Sequence, residues 1–370
     1  MHSQDSAKPS QPALGDNLAR RIGPIGMGLL VVALLAIPLF VKNQYIMHIF
    51  VITFWYGYLA TAWGLVGQTG QLSWGHAVFV GLGGYTSSIL FMDYGVTPWI
   101  GTFIGVVVAF VAGLVIGWPT LRLRGPYFAL STLAFSQILN TYVNNTDYLG
   151  PFYLRGAMGC VLPLVNGSDA PQVFQFATKA PYYYIALAMM VAAVALSYWI
   201  NRRRMGFYWT AIRGDQDAAE SLGIDAPRYR LIAWLISVAL FAFAGTFYAQ
   251  YVLYINAERC MGADLSLEIA AMGVIGGWQS VFGPVVGSAL LAPVSEIIRA
   301  RFGGGTGGVH LILYGLLLMI VILRMPDGLL VALGNTLQRR QRRARAPRPS
   351  EQGATEASID TYIDESSGTE

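Results

Sequence analysis

The residues able to do chemistry are few and scattered. The four histidines, His2, His48, His76 and His310, lack the paired spacing that holds a metal ion. Cys160 and Cys260 lie far apart in sequence, with no metal-ligand spacing. Both fall in loops expected on the outer side of a membrane, either joined as a disulfide or left as two thiols. No Gly-x-x-x-x-Gly-Lys-Ser/Thr phosphate loop is present, so this chain is not expected to hydrolyse ATP itself. The glycine run from Gly303 to Gly308 lacks the lysine and the strand context and reads as a loop. No Ser/His/Asp set forms a local catalytic motif. The pattern predicts neither an enzyme nor a cofactor bound by this chain.

What remains is a small set of polar side chains inside apolar surroundings. Gln71, Ser73 and His76 occupy one glycine-rich element, and Gln279 and Ser280 a second. A polar group at mid-membrane is costly unless it faces a partner or a cavity. These five residues are therefore candidates for a solute pathway, or for helix–helix hydrogen bonding without solute contact. Glu268 and Glu296 fall near outer helix ends and read as side chains that snorkel to the interface.

The most informative polar stretch runs from Asn201 to Arg230. It opens with Arg202, Arg203 and Arg204, which suit lipid phosphates. Asp215 is placed to cap a short helix, Asp217 to favour its positive end, and Gly223 to stop it. About two turns of helix are unstable alone in water, so this one needs a partner surface. Ala218, Ala219 and Leu222 give it a small apolar face for a groove in another protein, or for a lipid interface.

The elements that must position these groups are apolar helices. Of 370 residues, 55% are hydrophobic and only 12% charged. A soluble domain is roughly a quarter charged. The 42 glycines suit membrane helices that approach closely. Ten apolar runs stand out: Gly26 to Val41, Ile46 to Val66, Ala77 to Met92, Trp99 to Trp118, Tyr127 to Val143, Tyr182 to Ile200, Leu231 to Leu253, Leu265 to Ser280, Gly283 to Ile298 and Val309 to Leu323. The fold class is all-α and polytopic, with both termini in the cytoplasm.

Charge supports that orientation. Arg20 and Arg21 precede the first run, and Arg122, Arg124, Arg202 to Arg204 and the arginine-rich tail all land on the cytoplasmic side. Arg299 and Arg301 land outside, against the trend. The first run is followed by Lys42, Asn43 and Gln44 with no small-x-small cleavage site, and reads as a retained anchor. The expected organisation is a cytoplasmic tail over 1–24, a transmembrane domain over 25–330 and a disordered cytoplasmic tail, basic then acidic, over 331–370. Within the domain, 144–181 forms an outer loop and 201–230 a cytoplasmic one. Net charge of +4 with three lysines gives no nucleic-acid signal.

Two elements hint at internal duplication. Gly70-Gln71-Leu72-Ser73-Trp74-Gly75 opens the third run, and Gly277-Trp278-Gln279-Ser280-Val281-Phe282-Gly283 the ninth. Either two halves are related by an axis along the membrane normal, or glycine-rich turns coincide.

Several blocks together resemble the branched-chain amino acid ABC permeases of the M-type. They are Gly67 to Ala77 with Gly81, Gly84 and Tyr85; Leu121 to Leu130 with Thr132 and Leu133; Gly206 to Gly245; Met272 to Gly287; and Tyr314 through Leu329. The resemblance implies a type II-like importer half in a bacterial inner membrane. Its partners would be a homologous H-type permease, two cytoplasmic ATPase subunits that use ATP, a periplasmic binding protein and lipid. Arg213, Gly214, Asp215, Ala218, Ala219, Leu222 and Gly223 would then couple to an ATPase groove. Leu154 to Cys160 departs from the family's usual turn, which leaves urea, short amides or aromatic acids open as cargo. A stand-alone secondary transporter or channel is the rival class, and would need paired intramembrane ionisable groups.

Overall fold

Apolar composition decides which segments become helices here, and proline and glycine decide where they begin and stop. The computed structural model describes residue 29, residues 31–165 and 170–302, and scattered positions between 312 and 323. The tails over 1–24 and 331–370 and most of the tenth run lie outside the described residues.

Helix α1 spans Val31–Phe40. Helix α2, Gln44–Gly67, follows Asn43, whose side chain accepts the Tyr45 N–H. Helices α3, α4 and α5 span Ala77–Tyr94, Pro98–Thr120 and Pro126–Asn144. The last two begin on proline, whose missing N–H is no loss in a first helical turn. Helix α6 is Lys179–Asn201, α7 Arg204–Gly214, α8 Gln216–Ser221 and α9 Ala226–Val252. Helices α10, α11 and α12 are Ala257–Met261, Ala263–Gly276 and Gly283–Phe302. Among the described residues, α2, α4, α6 and α9 are long and apolar enough to cross a membrane.

One run is built differently from its expected span. Leu265 to Ser280 was expected as one helix, but α11 stops at Gly276 because Gly277 takes a left-handed φ of 98°. At its other end the extended backbone of Gly262 separates α11 from the one-turn α10. Fourteen residues of α11 rise about 21 Å, well short of a hydrocarbon core about 30 Å thick.

Helix α2 is the axis of the bundle, buried almost continuously from Val51 to Gly67. It packs against α6, α9, α11 and α12, while α3, α4 and α9 pack on one another. The α3–α9 crossing depends on two glycines. A Cβ on Gly245 would stand 1.9 Å from the Val80 carbonyl oxygen, and one on Gly83 would stand 2.1 Å from that of Ala242. Close backbone approach of this kind is how helices associate where no water drives them together. Buried indoles find carbonyls: Trp55 donates to Ala244, Trp63 to Ser73 and Trp234 to Gly113.

The bundle has two distinct ends. At one, residues 145–165 carry β1 (Tyr148–Leu149), paired with β2 (Phe152–Tyr153), and β3 (Cys160–Val161), paired with β4 (Tyr254–Ile255) after α9, both antiparallel. Arg155 ties this loop to α3 through Asp93 at 2.6 Å, and Trp99 donates to the Pro171 carbonyl. Cys160 and Cys260 are both buried and unbonded. At the other end lie α7 and α8.

Candidate functional site

The sequence places an N-cap at Asp215, and its carboxylate accepts the backbone N–H groups of Asp217 and Ala218 at 2.9 and 3.1 Å. Gly223 adopts φ 85°, the left-handed stop expected after a helix end. Helix α8 is only six residues long, so neighbours must hold it. Arg124, from the α4–α5 connection, grips Asp217 with two guanidinium nitrogens at 2.9 and 3.2 Å. Arg230 donates to Gln216 at 2.7 Å. Ala219 packs with Ile212 and Ala226 in a small core of its own.

That last contact revises the expected face. Ala218 and Leu222, one helical turn apart, point away from the chain, and Leu222 is 82% exposed. Ala219, expected beside them, turns about 100° further round the helix and faces inward. Gly214 is open, with nothing within 4 Å of where a Cβ would stand. Arg213 faces inward too: its guanidinium lies 5.6 Å over the Trp278 ring, its backbone lies against Gly70, and burial pushes it below its usual pKa. Position 213 thus joins α7 to both glycine-rich turns.

Those two turns share a local design. Gly70 and Gly277 both have positive φ, at 84° and 98°. In each turn a serine hydroxyl three residues on accepts a later glycine N–H: Ser73 from Gly75 at 3.4 Å, and Ser280 from Gly283 at 2.9 Å. A Cβ on Gly67 would meet the Trp278 ring at 3.1 Å, so the turns are neighbours. The remaining pathway candidates scatter. Gln71 donates weakly to the Leu123 carbonyl, while Gln279 is exposed. His76 is buried between Trp234, Phe79 and Phe241, and neither ring nitrogen has a partner among the described residues. None of the five lines the cavity formed by α2, α9, α10, α11 and α12.

That cavity is formed by residues outside that set. It holds about 710 Å³ between α2, α9, α10, α11 and α12, with Gly315 and Leu318 of the tenth run completing its lining. At its floor Glu268 accepts hydrogen bonds from Tyr56 and Ser295 at 2.7 and 2.6 Å, with Arg299 at 3.4 Å. Glu296 lies 3.2 Å from His48 Nε2 and 3.8 Å from Arg299, and the Tyr251 hydroxyl lies 2.6 Å from the other ring nitrogen of His48. Glu268 is 8% exposed, so it does not snorkel; it is held inside by three donors. The signal was present in sequence: a carboxylate within an apolar run marks an intramembrane site by default.

The sequence matches the family profile described as branched-chain amino acid transport system / permease component over residues 45–322. It is 29% identical over 284 residues to the high-affinity branched-chain amino acid transport system permease protein LivM of Escherichia coli, covering 72% of this chain and 65% of that protein. It is 25% identical over 292 residues to LivH of Salmonella typhimurium, covering 74% and 91%. A probable LivM of Methanocaldococcus jannaschii is 23% identical over 239 residues, covering 60% and 65%. The chain thus spans about 65% of the length of the LivM proteins it matches. No solved structure matches it.

Proposed function

The chain belongs to the branched-chain amino acid transport system permease component family, and on that footing we propose that it is the M-type membrane half of an ATP-driven importer of branched-chain amino acids. It pairs with a homologous H-type permease, two ATPase subunits that consume the ATP, and a periplasmic binding protein. Similarity to both LivM and LivH relatives supports such a pair. The permease domain, 25–330, crosses the inner membrane about ten times with both ends in the cytoplasm, and the tails 1–24 and 331–370 flank it there. The matching turns at Gly70 and Gly277 support two halves in parallel orientation, as in a type II-like permease.

One observation carries the reading. A capped helix of six residues is clamped by Arg124 and Arg230, yet presents Ala218 and Leu222 to solvent. An outward apolar face on so short a helix calls for a covering surface, and a partner groove supplies one. Behind it, Arg213 contacts Trp278 and Gly70, so a push on α7–α8 reaches the turns that open α3 and α12. A groove on an ATPase subunit fits this surface. ATP binding would tilt α7–α8 and transmit through Arg213.

The test is leucine uptake into proteoliposomes holding the full assembly. Ala218→Glu is expected to abolish uptake while the ATPase subunits keep hydrolysing and the chain still inserts. Normal uptake by that variant overturns the docking role. The cluster of buried Glu268 with half-buried Arg299 and Glu296 favours one rival, a secondary transporter, and omitting ATP in the same assay separates the two.

A further inference from the structure

The cavity between α2, α9, α10, α11 and α12 differs from a closed structural ion pair in what it leaves unused. A buried charge is normally retained only when partners surround it on every side. Glu268 meets that condition, with Tyr56 and Ser295 at 2.7 and 2.6 Å. Arg299 does not. Its separations from Glu268 and Glu296 are 3.4 and 3.8 Å, beyond the roughly 2.7–2.9 Å of a well-formed charge-assisted bond. About a third of its side chain faces open space. Arg259, an exposed lining residue on α10, forms no ion pair with any described residue. Glu296 has one oxygen beside His48, and the other is engaged only by the distant Arg299.

The cavity therefore offers two cations with donors to spare, and carboxylate oxygens of Glu258, Asp264 and Glu296 with little to accept, Glu296 being the least exposed of the three. They stand over an apolar wall that includes Ile52, Trp55, Leu265 and Leu267. Its volume, about 710 Å³, falls within the roughly 300–1,000 Å³ typical of small-molecule sites. We propose that this cavity is a binding site for a small aliphatic amino-acid zwitterion. The carboxylate lies toward Arg299 and Arg259, the ammonium toward Glu296, and the aliphatic side chain against Trp55 and Leu265. Glu268, Tyr56 and Ser295 act as positioning residues that fix Arg299. The site deepens the importer reading, since it rests on amino acids being the cargo.

The two native thiols are buried, so a cysteine placed in the wall is a selective reporter. Leu267 is 44% exposed and lines the cavity. In the purified full-length chain carrying Leu267→Cys, the rate of labelling by a small thiosulfonate reagent is measured with and without millimolar leucine. Leucine is expected to slow labelling. 4-Methylpentanoate, which lacks the ammonium, and isopentylamine, which lacks the carboxylate, should protect roughly ten-fold less well, the scale of losing one hydrogen bond to a charged group. Adding Arg299→Lys or Glu296→Gln should abolish protection at an unchanged labelling rate without ligand; two variants are used in case one fails to fold. Absent protection by leucine, or protection by either half-charged analogue as strong as that by leucine, overturns the site. Leucine uptake by the assembly without protection retains the importer reading and removes this site. Protection without uptake does the reverse.

Discussion

The cap at Asp215 gives the coupling account its sharpest quantitative test. Replacing it by alanine removes both side-chain bonds at 2.9 and 3.1 Å while leaving the Arg124–Asp217 and Arg230–Gln216 contacts possible. Loss of an N-cap costs about 1 kcal/mol, with a range near 0.5–2. Helix α8 has six residues and one buried side chain, Ala219, so no other packing on the helix itself absorbs the loss. About 1 kcal/mol lowers the ratio of ordered to frayed helix roughly five-fold. If an ATPase groove grips only the ordered helix, leucine transported per ATP hydrolysed falls by up to the same factor in proteoliposomes containing the full assembly. Asp215→Asn keeps an acceptor and should stay near the parent value. Limited proteolysis gives an independent reading, since cleavage between 215 and 222 should quicken for alanine and not for asparagine. Unchanged coupling and proteolysis in Asp215→Ala would refute the reasoning, as would an asparagine variant that falls as far as alanine.

Other outcomes follow from packing and burial. Gly245→Ala forces α3 and α9 apart, because the Val80 backbone cannot rotate away from a Cβ at 1.9 Å; a loss of about 1–3 kcal/mol should lower the melting temperature of the chain in detergent, and an unshifted melt would contradict it. Glu268→Ala strips the acceptor from the Tyr56 and Ser295 hydroxyls, while the partly open Arg299 keeps Glu296 and solvent, and should destabilise by about 1–3 kcal/mol, measured by the same melt, with Glu268→Gln milder because it keeps the shape and one acceptor. Burial raises the Cys160 thiol above its ordinary pKa despite the nearby Arg155, so little thiolate forms at pH 8. Maleimide should therefore leave Cys160 unlabelled in the native chain at that pH and label it after denaturation.

What could be read from sequence was local. Asp215, Gly223 and the helix between them follow from neighbours within nine residues, and capping chemistry needs nothing more. Most apolar runs became helices close to their expected bounds because length and hydropathy decide that alone. The face of α8 was harder. Ala218 and Leu222 share it by their spacing of four, but adjacency alone had placed Ala219 beside them, when a helix turns it toward Ile212. The end of α11 was hidden because Gly276-Gly277 sits inside an unbroken apolar run, and only a backbone with positive φ reveals the stop. The cavity was least legible. His48, Tyr251, Glu268 and Glu296 come from four helices far apart in sequence, and a single carboxylate near a helix end gives no hint of its donors.

The central claim, an importer half driven through α7–α8, is tested most directly by leucine uptake into proteoliposomes with the ATPase subunits and binding protein, comparing the parent chain with Ala218→Glu in the presence and absence of ATP. The account predicts accumulation only with ATP, and none with the variant although hydrolysis continues. Leucine entry through the purified chain alone, without nucleotide or partner, would contradict it.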